Sequence, residues 1–203
     1  MLSTFQTMPR TLRDLAGLPK WQHPAPGEAA VLLIDAQEEY RSGALALGDI
    51  TSALGEIVNL RRRARELGLP VLHVRHVGPP GGLFDVEGHG GAFCAQAEPL
   101  AGEHVIDKRL PNAFTGTDLA TRLDALSIKR IIVAGFMTHM CVSSTVRGAL
   151  DLGLEAAVIA DSCATRALPS HDGGEISARD MHRAALAAMS DRFACILPTS
   201  DEI

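Results

Sequence analysis

Short apolar runs that alternate with helical patterns constrain the fold of this 203-residue chain more than any other feature of its sequence. The first run, AAVLLIDA at 29–36, is almost wholly apolar and contains a carboxylate near its end. Such a run is typical of a strand that is buried on both faces of a sheet. We therefore predict a parallel strand that ends at Asp35.

The alternation continues along the chain. A helix at 51–67 has an apolar stripe, with Thr51 or Ser52 as its N-cap, and a helix at 117–126 begins at Thr117. Further helices are predicted at 141–152 and 179–190, and further strands at 70–77, 104–108, 130–135, 155–161 and 193–197. Strands and helices in this order form parallel sheets through right-handed crossovers. We predict one α/β domain over 1–203, a three-layer α-β-α sandwich with a doubly wound sheet of about six strands, which begins with an extension at 1–28.

The net charge of the chain bears on whether it binds nucleic acid. The formal net charge of -5 argues against a nucleic-acid partner, because binding to phosphates needs clustered Lys and Arg. One basic run at 61–65 lies between Glu56 and Glu66 and is interpreted as a solvated helix face.

Hydropathy and cysteine spacing bear on the compartment. We find no apolar stretch of about 18 residues, and the N-terminal segment mixes charge and proline, so neither a membrane span nor a signal peptide is predicted. The cysteines are widely separated and show no CxxC pairing, which favours a reducing cytoplasm. They are Cys94, Cys141, Cys163 and Cys195.

Three reactive side chains follow or end predicted strands. Asp35 closes the first strand, Lys108 closes HVIDK, and Cys141 follows RIIVAG by a short turn. Ligands of such sheets bind outside the carboxyl ends of the strands, so these residues are expected to meet. A helix N-terminus and a nearby ammonium lower the pKa of a thiol, and a carboxylate takes its proton. A buried cysteine and a strand-end aspartate also occur as purely structural residues, and the spacing leaves that reading open.

Three segments of the sequence occur together in a known family. They are LLIDAQEEY at 32–40, KRLPNAFTGTDL at 108–119 and GFMTHMCVSSTVRGALDLG at 135–153. In this order they resemble the isochorismatase-like cysteine hydrolases, which include nicotinamidases and N-carbamoylsarcosine amidohydrolases. The likeness extends over most of the chain, from about residue 29 to residue 197.

The resemblance implies roles for individual residues. It makes Cys141 the nucleophile, Asp35 the proton shuttle and Lys108 the third member of a triad. It implies a cis peptide bond between Phe136 and Met137, which would direct the N–H groups of Met137 and Cys141 into an oxyanion hole. It also implies a homo-oligomer, a dimer or tetramer, that acts on a small molecule.

The sequence differs from the nicotinamidases in the residues that would bind a metal. Those relatives bind a metal through an Asp-x-His motif and a further His, whereas the corresponding segment here reads HVRHVGPPGGLFDVEGHG. His73, His76 and His89 are possible ligands with irregular spacing, and His73 is interpreted as a core residue. We predict no metal and no organic cofactor.

Candidate pocket residues lie near the triad in sequence: Gln37, Tyr40, Phe114, Met137, Thr138 and His139. Core packing is the alternative for Tyr40 and Phe114, and a surface or subunit contact is the alternative for His139. The segment 78–102 is rich in Gly and Pro and is predicted to be a long loop that covers the site. His182 is interpreted as structural, and Cys94, Cys163 and Cys195 as spectators.

The resulting hypothesis is a cysteine hydrolase of small amide, carbamoyl or related C–N bonds. Members of the family that cleave the vinyl ether of isochorismate typically lack the nucleophilic thiol, so Cys141 favours the C–N reaction. Vinyl ether hydrolysis and a non-catalytic binding protein are the alternatives. The sequence does not identify the substrate.

Overall fold

The predicted parallel sheet is present in the computed structural model, which describes residues 8–203. The strands are β1 (Ala29–Ile34), β2 (Val71–His76), β3 (His104–Lys108), β4 (Arg130–Phe136), β5 (Glu155–Ala164), β6 (Leu168–Pro169), β7 (Glu175–Ile176) and β8 (Cys195–Leu197). Six of them form one sheet in the order β3-β2-β1-β4-β5-β8, and all its neighbours pair parallel. This confirms the predicted fold class. The predicted extension at 1–28 lies partly outside the described residues.

Helices cover both faces of the sheet. They are α1 (Leu12–Leu15), α2 (Glu39–Ser42), α3 (Ile50–Glu66), α4 (Leu119–Ala125), α5 (Ser143–Asp151) and α6 (Ala178–Arg192), and a π-helix at Thr138–Val142 precedes α5. Between residues 8 and 203, none of the helices combines the length and the apolar content that a membrane crossing requires.

The strand β1 lies between two hydrophobic cores, as its continuous apolar sequence predicts. Each of its residues has a relative exposure of 1% or less. Val31 and Leu33 belong to the core that contains Ile57 of α3, whereas Leu32 and Ile34 belong to the core that contains Leu123 of α4. Side chains alternate between the faces of a strand, so an apolar residue is needed at every position.

The long elements agree with the predictions, and their ends differ in detail. Helix α3 follows Asp49 as its N-cap instead of Thr51 or Ser52, and Asp49 makes no side-chain capping bond. The strand β5 continues three residues beyond the predicted end, to Ala164. The helices α1 and α2 and the β6–β7 hairpin are absent from the predictions because segments of two to four residues are too short to show a period.

The position of Arg61 corrects the prediction that the basic run at 61–65 forms a solvated helix face. Its relative exposure is 7%, and its guanidinium donates to the carbonyls of Gln96 and Glu98 and to the Glu103 carboxylate. The physical reason is helical period, because Arg61 lies one turn after the buried Ile57 on the same face of α3. Arg62 instead points outward, with a side-chain exposure of 55%.

The segment 78–102 is a long loop, as predicted, and it folds back onto the chain that follows β1. It contains short 3-10 turns at His89–Gly91 and Ala95–Ala97. The N–H of Cys94 donates to Ala36 O over 2.8 Å, and the N–H of Glu38 donates to Ala92 O over 2.9 Å. The loop is therefore fixed beside the carboxyl end of β1.

Gly135 permits a close approach between β4 and β1. Its φ is 117°, and a Cβ atom at this position would lie 2.0 Å from Ile34 O. No larger residue fits there without displacement of the backbone. The glycine of the G-x-x-T-x-x-C segment is thus required by packing at the sheet edge where the candidate site lies.

Candidate active site

Asp35, Lys108 and Cys141 meet at the carboxyl edge of the sheet. Lys108 Nζ lies 2.7 Å from Asp35 Oδ2 and 3.3 Å from Cys141 Sγ. The residues are buried, with relative exposures of 0%, 1% and 4% in that order. The convergence follows from the topology, because β1, β3 and β4 are parallel and end at the same edge.

The backbone turns at Asp35, directly after β1. Its φ is 50°, in the left-handed region where Asp and Asn are the most frequent residues after Gly. Its N–H still donates to Val74 O over 2.8 Å, as a strand residue does. The chain therefore leaves the sheet at the residue whose carboxylate contacts Lys108.

The Lys108 ammonium has three acceptors for its three protons. Besides Asp35 and Cys141, it lies 3.1 Å from Nδ1 of His76. His76 and Lys108 are register partners at the ends of the neighbouring strands β2 and β3, which explains the contact. Because an ammonium donates three hydrogen bonds and accepts none, its position and orientation are fully specified.

Cys141 lies in the π-helix and not in the first turn of α5. The predicted helix at 141–152 is thus divided into the π-helix Thr138–Val142 and the α-helix Ser143–Asp151. The peptide bond between Phe136 and Met137 is cis, at the position that the family resemblance implies. The oxyanion hole formed by the N–H groups of Met137 and Cys141 stays a prediction.

The pKa of the Cys141 thiol is shifted upward, whereas the sequence predicted a downward shift. Burial raises this pKa to about 12, the Asp35 carboxylate adds to the rise, and Lys108 opposes it. Burial also raises the pKa of Asp35, against the effect of the Lys108 ammonium. The thiol is therefore neutral at rest, and a carboxyl group with a raised pKa is suited to take the thiol proton during attack.

His76 is neutral in this site. Burial, followed by the charges of Lys108 and Arg109, lowers the pKa of its imidazole to about 4. A neutral imidazole has one ring nitrogen with a free lone pair, and the contact with the ammonium assigns this role to Nδ1. The ring also packs against Phe84, with the ring centroids 5.0 Å apart.

Gln37 joins the strand β2 to the 78–102 loop. Its side-chain N–H groups donate to the carbonyls of His76 and Gly91, each over 3.0 Å, and its Oε1 accepts from the N–H of His76 over 2.8 Å. The side chain is fully buried. The predicted contact of Gln37 with substrate stays a prediction, because both amide protons are already engaged within the protein.

The other predicted pocket residues differ in accessibility. Tyr40 is buried at 2% exposure and packs edge-on against Phe84 and Phe136, while Phe114 packs against the core as a partly buried residue. Thr138 is fully buried, and His139 is partly buried with its Nδ1 on the Thr165 hydroxyl. Substrate contact stays a prediction for each of them.

The imidazoles considered as metal ligands do not converge. His73 Nε2 donates to Glu103 over 2.7 Å, His89 contacts the Ser42 hydroxyl at 3.1 Å, and His76 contacts Lys108. A different set, Asp35, His76 and Cys141, places its ligand atoms within 4.8 Å of one another. The Lys108 ammonium contacts all three members of that set, so a metal ion there would have to displace a buried cation. The residues present therefore do not fit the metal site of the nicotinamidases.

Two residues beside the site were not identified as site residues from the sequence. His76 was considered only as a metal ligand, although it ends a strand as Lys108 does. Arg166 follows β5 by two residues and is exposed, and its charge lowers the pKa of His139 after the larger effect of burial. The strand-end rule, applied to β2, is the signal that would have identified His76. Arg166 lies five residues beyond the predicted end of β5, at residue 161, so the same rule would have missed it.

The remaining cysteines lack an activating environment. Burial raises the pKa of both Cys94 and Cys163 to about 12. Cys195 is partly exposed, and its Sγ accepts a hydrogen bond from Arg13 at 3.2 Å. Within residues 8–203, none of the three forms a hydrogen bond with Asp35, Lys108 or Cys141.

Comparison with known proteins places the chain among one group of hydrolases. Residues 29–201 match the model of the isochorismatase domain. An isochorismatase from Pseudomonas putida KT2440 has a TM-score of 0.90 and 43% identity, over 96% of this chain and 100% of that chain. The isochorismatase family protein YddQ of Bacillus subtilis is 35% identical, over 84% of this chain and 96% of its own length. The ureidoacrylate amidohydrolase RutB of Pseudomonas savastanoi pv. phaseolicola is 26% identical, over 74% of this chain and 76% of its own length.

Proposed function

The chain belongs to the isochorismatase family of hydrolases, and on this premise we propose that it cleaves a small amide, carbamoyl or related C–N bond through a thioester on Cys141. The observation that carries the proposal is the position of Lys108 between Asp35 and Cys141, at 2.7 Å and 3.3 Å. A buried thiol with a carboxylate and an ammonium in contact has the three groups that acyl transfer requires.

Acylation begins with transfer of the thiol proton to Asp35. The Sγ of Cys141 then attacks the substrate carbonyl, and the N–H groups of Met137 and Cys141 bind the oxygen as it becomes negative. The C–N bond breaks, and Asp35 returns the proton to the leaving nitrogen, so that an amine or ammonia departs. Lys108 stays charged throughout and keeps both partners in place.

Deacylation uses the same carboxylate. Asp35 takes a proton from a water molecule, the resulting hydroxide attacks the thioester, and the C–S bond breaks. The products are a carboxylic or carbamic acid and the free thiol, which recovers the proton. The cycle uses no redox step and no group beyond this chain and water.

Substitution of Cys141 and Asp35 tests the proposal. In an ammonia-release assay with a panel of small amides, carbamates and ureas, Cys141→Ala and Asp35→Ala should each lower turnover by at least about 10³-fold. Mass spectrometry of the wild-type protein with a slow substrate should detect an acyl adduct on Cys141. Full turnover of Cys141→Ala together with loss in Asp35→Ala would instead favour vinyl ether hydrolysis.

Thiol labelling separates an enzyme from a binding protein with a vestigial triad. Iodoacetamide at neutral pH should modify Cys141 before Cys94 and Cys163, which are buried without a paired base. A Cys195→Ser background removes the more accessible thiol. Absence of preferential labelling at Cys141 would contradict an activated thiol.

The compartment and assembly belong to the same proposal. The free cysteines suit a reducing cytoplasm, and we expect a homo-oligomer, a dimer or tetramer, without nucleic-acid or membrane partners. Light scattering at several concentrations measures the assembly.

A further inference from the structure

A chain of hydrogen bonds connects α6 to the turn that carries Cys141. His182 Nδ1 lies 2.9 Å from the Thr138 hydroxyl, and that hydroxyl lies 3.1 Å from the carbonyl of Ala164 in β5. From these contacts we propose that His182 is a positioning residue, which fixes the turn that presents the oxyanion-binding N–H groups. The inference rests on the proposed acyl-transfer function.

The direction of each hydrogen bond follows from counting protons. The carbonyl of Ala164 only accepts, so the single hydroxyl proton of Thr138 is donated to it. The Thr138 oxygen must then accept from His182, whose Nδ1 carries the hydrogen. The neutral imidazole is therefore the Nδ1–H tautomer, with the lone pair on Nε2.

Protonation does not break this connection. Burial lowers the pKa of His182, while Asp161 and Asp49 oppose that shift. His182, Asp161 and Asp49 line a cavity of about 390 Å³, together with Arg179 and Arg183. A second proton on His182 would go to Nε2 and leave the Nδ1–H donor to Thr138 in place.

Thr138 is the residue through which His182 acts. It begins the π-helix that contains Cys141, and it directly follows Met137. Its relative exposure is 0%, so its hydroxyl has no contact with solvent while the His182 ring is in place. Loss of the His182 donor would leave a buried oxygen short of a partner and free the turn to shift. A displacement of about 1 Å in such a turn lowers the rate by about 10²-fold.

The test compares an acyl transfer with an alkylation at the same thiol. With p-nitrophenyl acetate, the thiol proton passes to Asp35, the S–C bond forms through a negatively charged carbonyl oxygen, and the C–O bond breaks to release p-nitrophenolate. With iodoacetamide, the thiol sulfur displaces iodide and no oxyanion forms. His182→Leu should slow the burst of p-nitrophenolate by about 10-fold to 100-fold at little changed KM. Its alkylation rate should stay within about twofold of the wild type.

Matched variants test whether loss of the His182 Nδ1–H donor is the cause of the slower burst. His182→Asn places an amide N–H near the position of ring Nδ1 and should restore most of the burst rate. Arg183→Ala, the exposed neighbour on α6, should change neither rate. Thr138→Val removes the acceptor of the His182 bond together with the donor to the Ala164 carbonyl. The double variant with His182→Leu should therefore lose no more than Thr138→Val alone.

The outcomes separate this inference from the proposed function. An unchanged burst in His182→Leu overturns the inference, as does an equal fall in acylation and alkylation, which would place the effect on the triad or the fold. If His182→Leu does not fold, the burst rate of Thr138→Val relative to Thr138→Ser decides instead, and equal rates overturn the inference. A wild-type protein without a Cys141-dependent burst would contradict the proposed function itself.

Discussion

At the scale of single residues, the chemistry depends on how Lys108 distributes its protons. The ammonium donates to Asp35, Cys141 and His76, and the protein thus uses every donor that the side chain has. No proton of Lys108 remains for a substrate. Recognition of the scissile group must therefore come from backbone N–H groups and from side chains outside the triad.

His76 should make stability depend on pH in a defined window. Its pKa is about 4 in the folded protein and 6.5 as the ordinary value, so the unfolded chain binds more protons between these limits. Stability that is present above pH 6.5 is therefore lost as the pH falls toward 4. His76→Asn keeps an acceptor near the position of ring Nδ1 and does not titrate. Urea unfolding across this range should show a shallower loss for His76→Asn, and equal slopes would contradict the shift.

Sequence reasoning located the triad but not its partners. The sequence was sufficient to identify three residues of the candidate site, Asp35, Lys108 and Cys141, because each ends or follows a predicted strand. The contact of Lys108 with His76 depends on strand register, which the sequence does not specify before the sheet order is known. The predicted direction of the thiol pKa shift was wrong because burial, together with the Asp35 carboxylate, outweighs the neighbouring ammonium. The depth of burial is a property of the assembled fold.

At the scale of elements, the 78–102 loop is held by side chains from two directions. The Gln37 amide bonds the carbonyl of Gly91, and Arg61 on α3 bonds the carbonyls of Gln96 and Glu98. The glycine and proline content of the segment 78–102 predicted a loop. The side chains that hold this loop in place belong to other parts of the sequence. Long elements with a clear hydrophobic period were predictable, whereas the π-helix of five residues was too short to show one.

Arg61 and Arg62 are a matched pair for testing how the loop is fixed. Arg61→Ala removes the charged partner of Glu103, which keeps its contact with His73, and leaves the carbonyls of Gln96 and Glu98 without their donor. It should lower the free energy of unfolding by about 3 kcal/mol. Arg62→Ala removes an exposed ion pair with Glu66 and should change it by less than about 0.5 kcal/mol. Denaturant unfolding measures both. Similar values for the two variants would show that the buried contacts contribute little.

At the scale of the whole molecule, one sheet joins two hydrophobic cores. Both cores contain residues of β1, which alternate between the faces. Damage to either core should therefore destabilise the entire domain and not one layer alone. We therefore expect the domain to unfold as one cooperative unit.

Leu123 and Leu126 of the α4 region test this expectation. Leu123 has 1% exposure, and its replacement by Ala should lower the free energy of unfolding by about 2–5 kcal/mol. Leu126 has 44% exposure, and Leu126→Ala should cost less than about 1 kcal/mol. Far-UV circular dichroism and Trp21 fluorescence should report the same midpoint for Leu123→Ala. Separate midpoints would indicate that the two layers unfold independently.

The hydrogen bonds of Gln37 bear on how this protein could acquire new substrates. The same amide contacts Gly91 in the loop and the backbone of His76, whose ring contacts Lys108. Insertions or deletions beside Gly91 would thus disturb the proposed proton-transfer groups as well as the loop. Adaptation is expected to proceed through point changes at the exposed positions of the loop. Wholesale exchange of the segment between relatives should yield inactive chimaeras unless Gln37 and its two acceptors are kept.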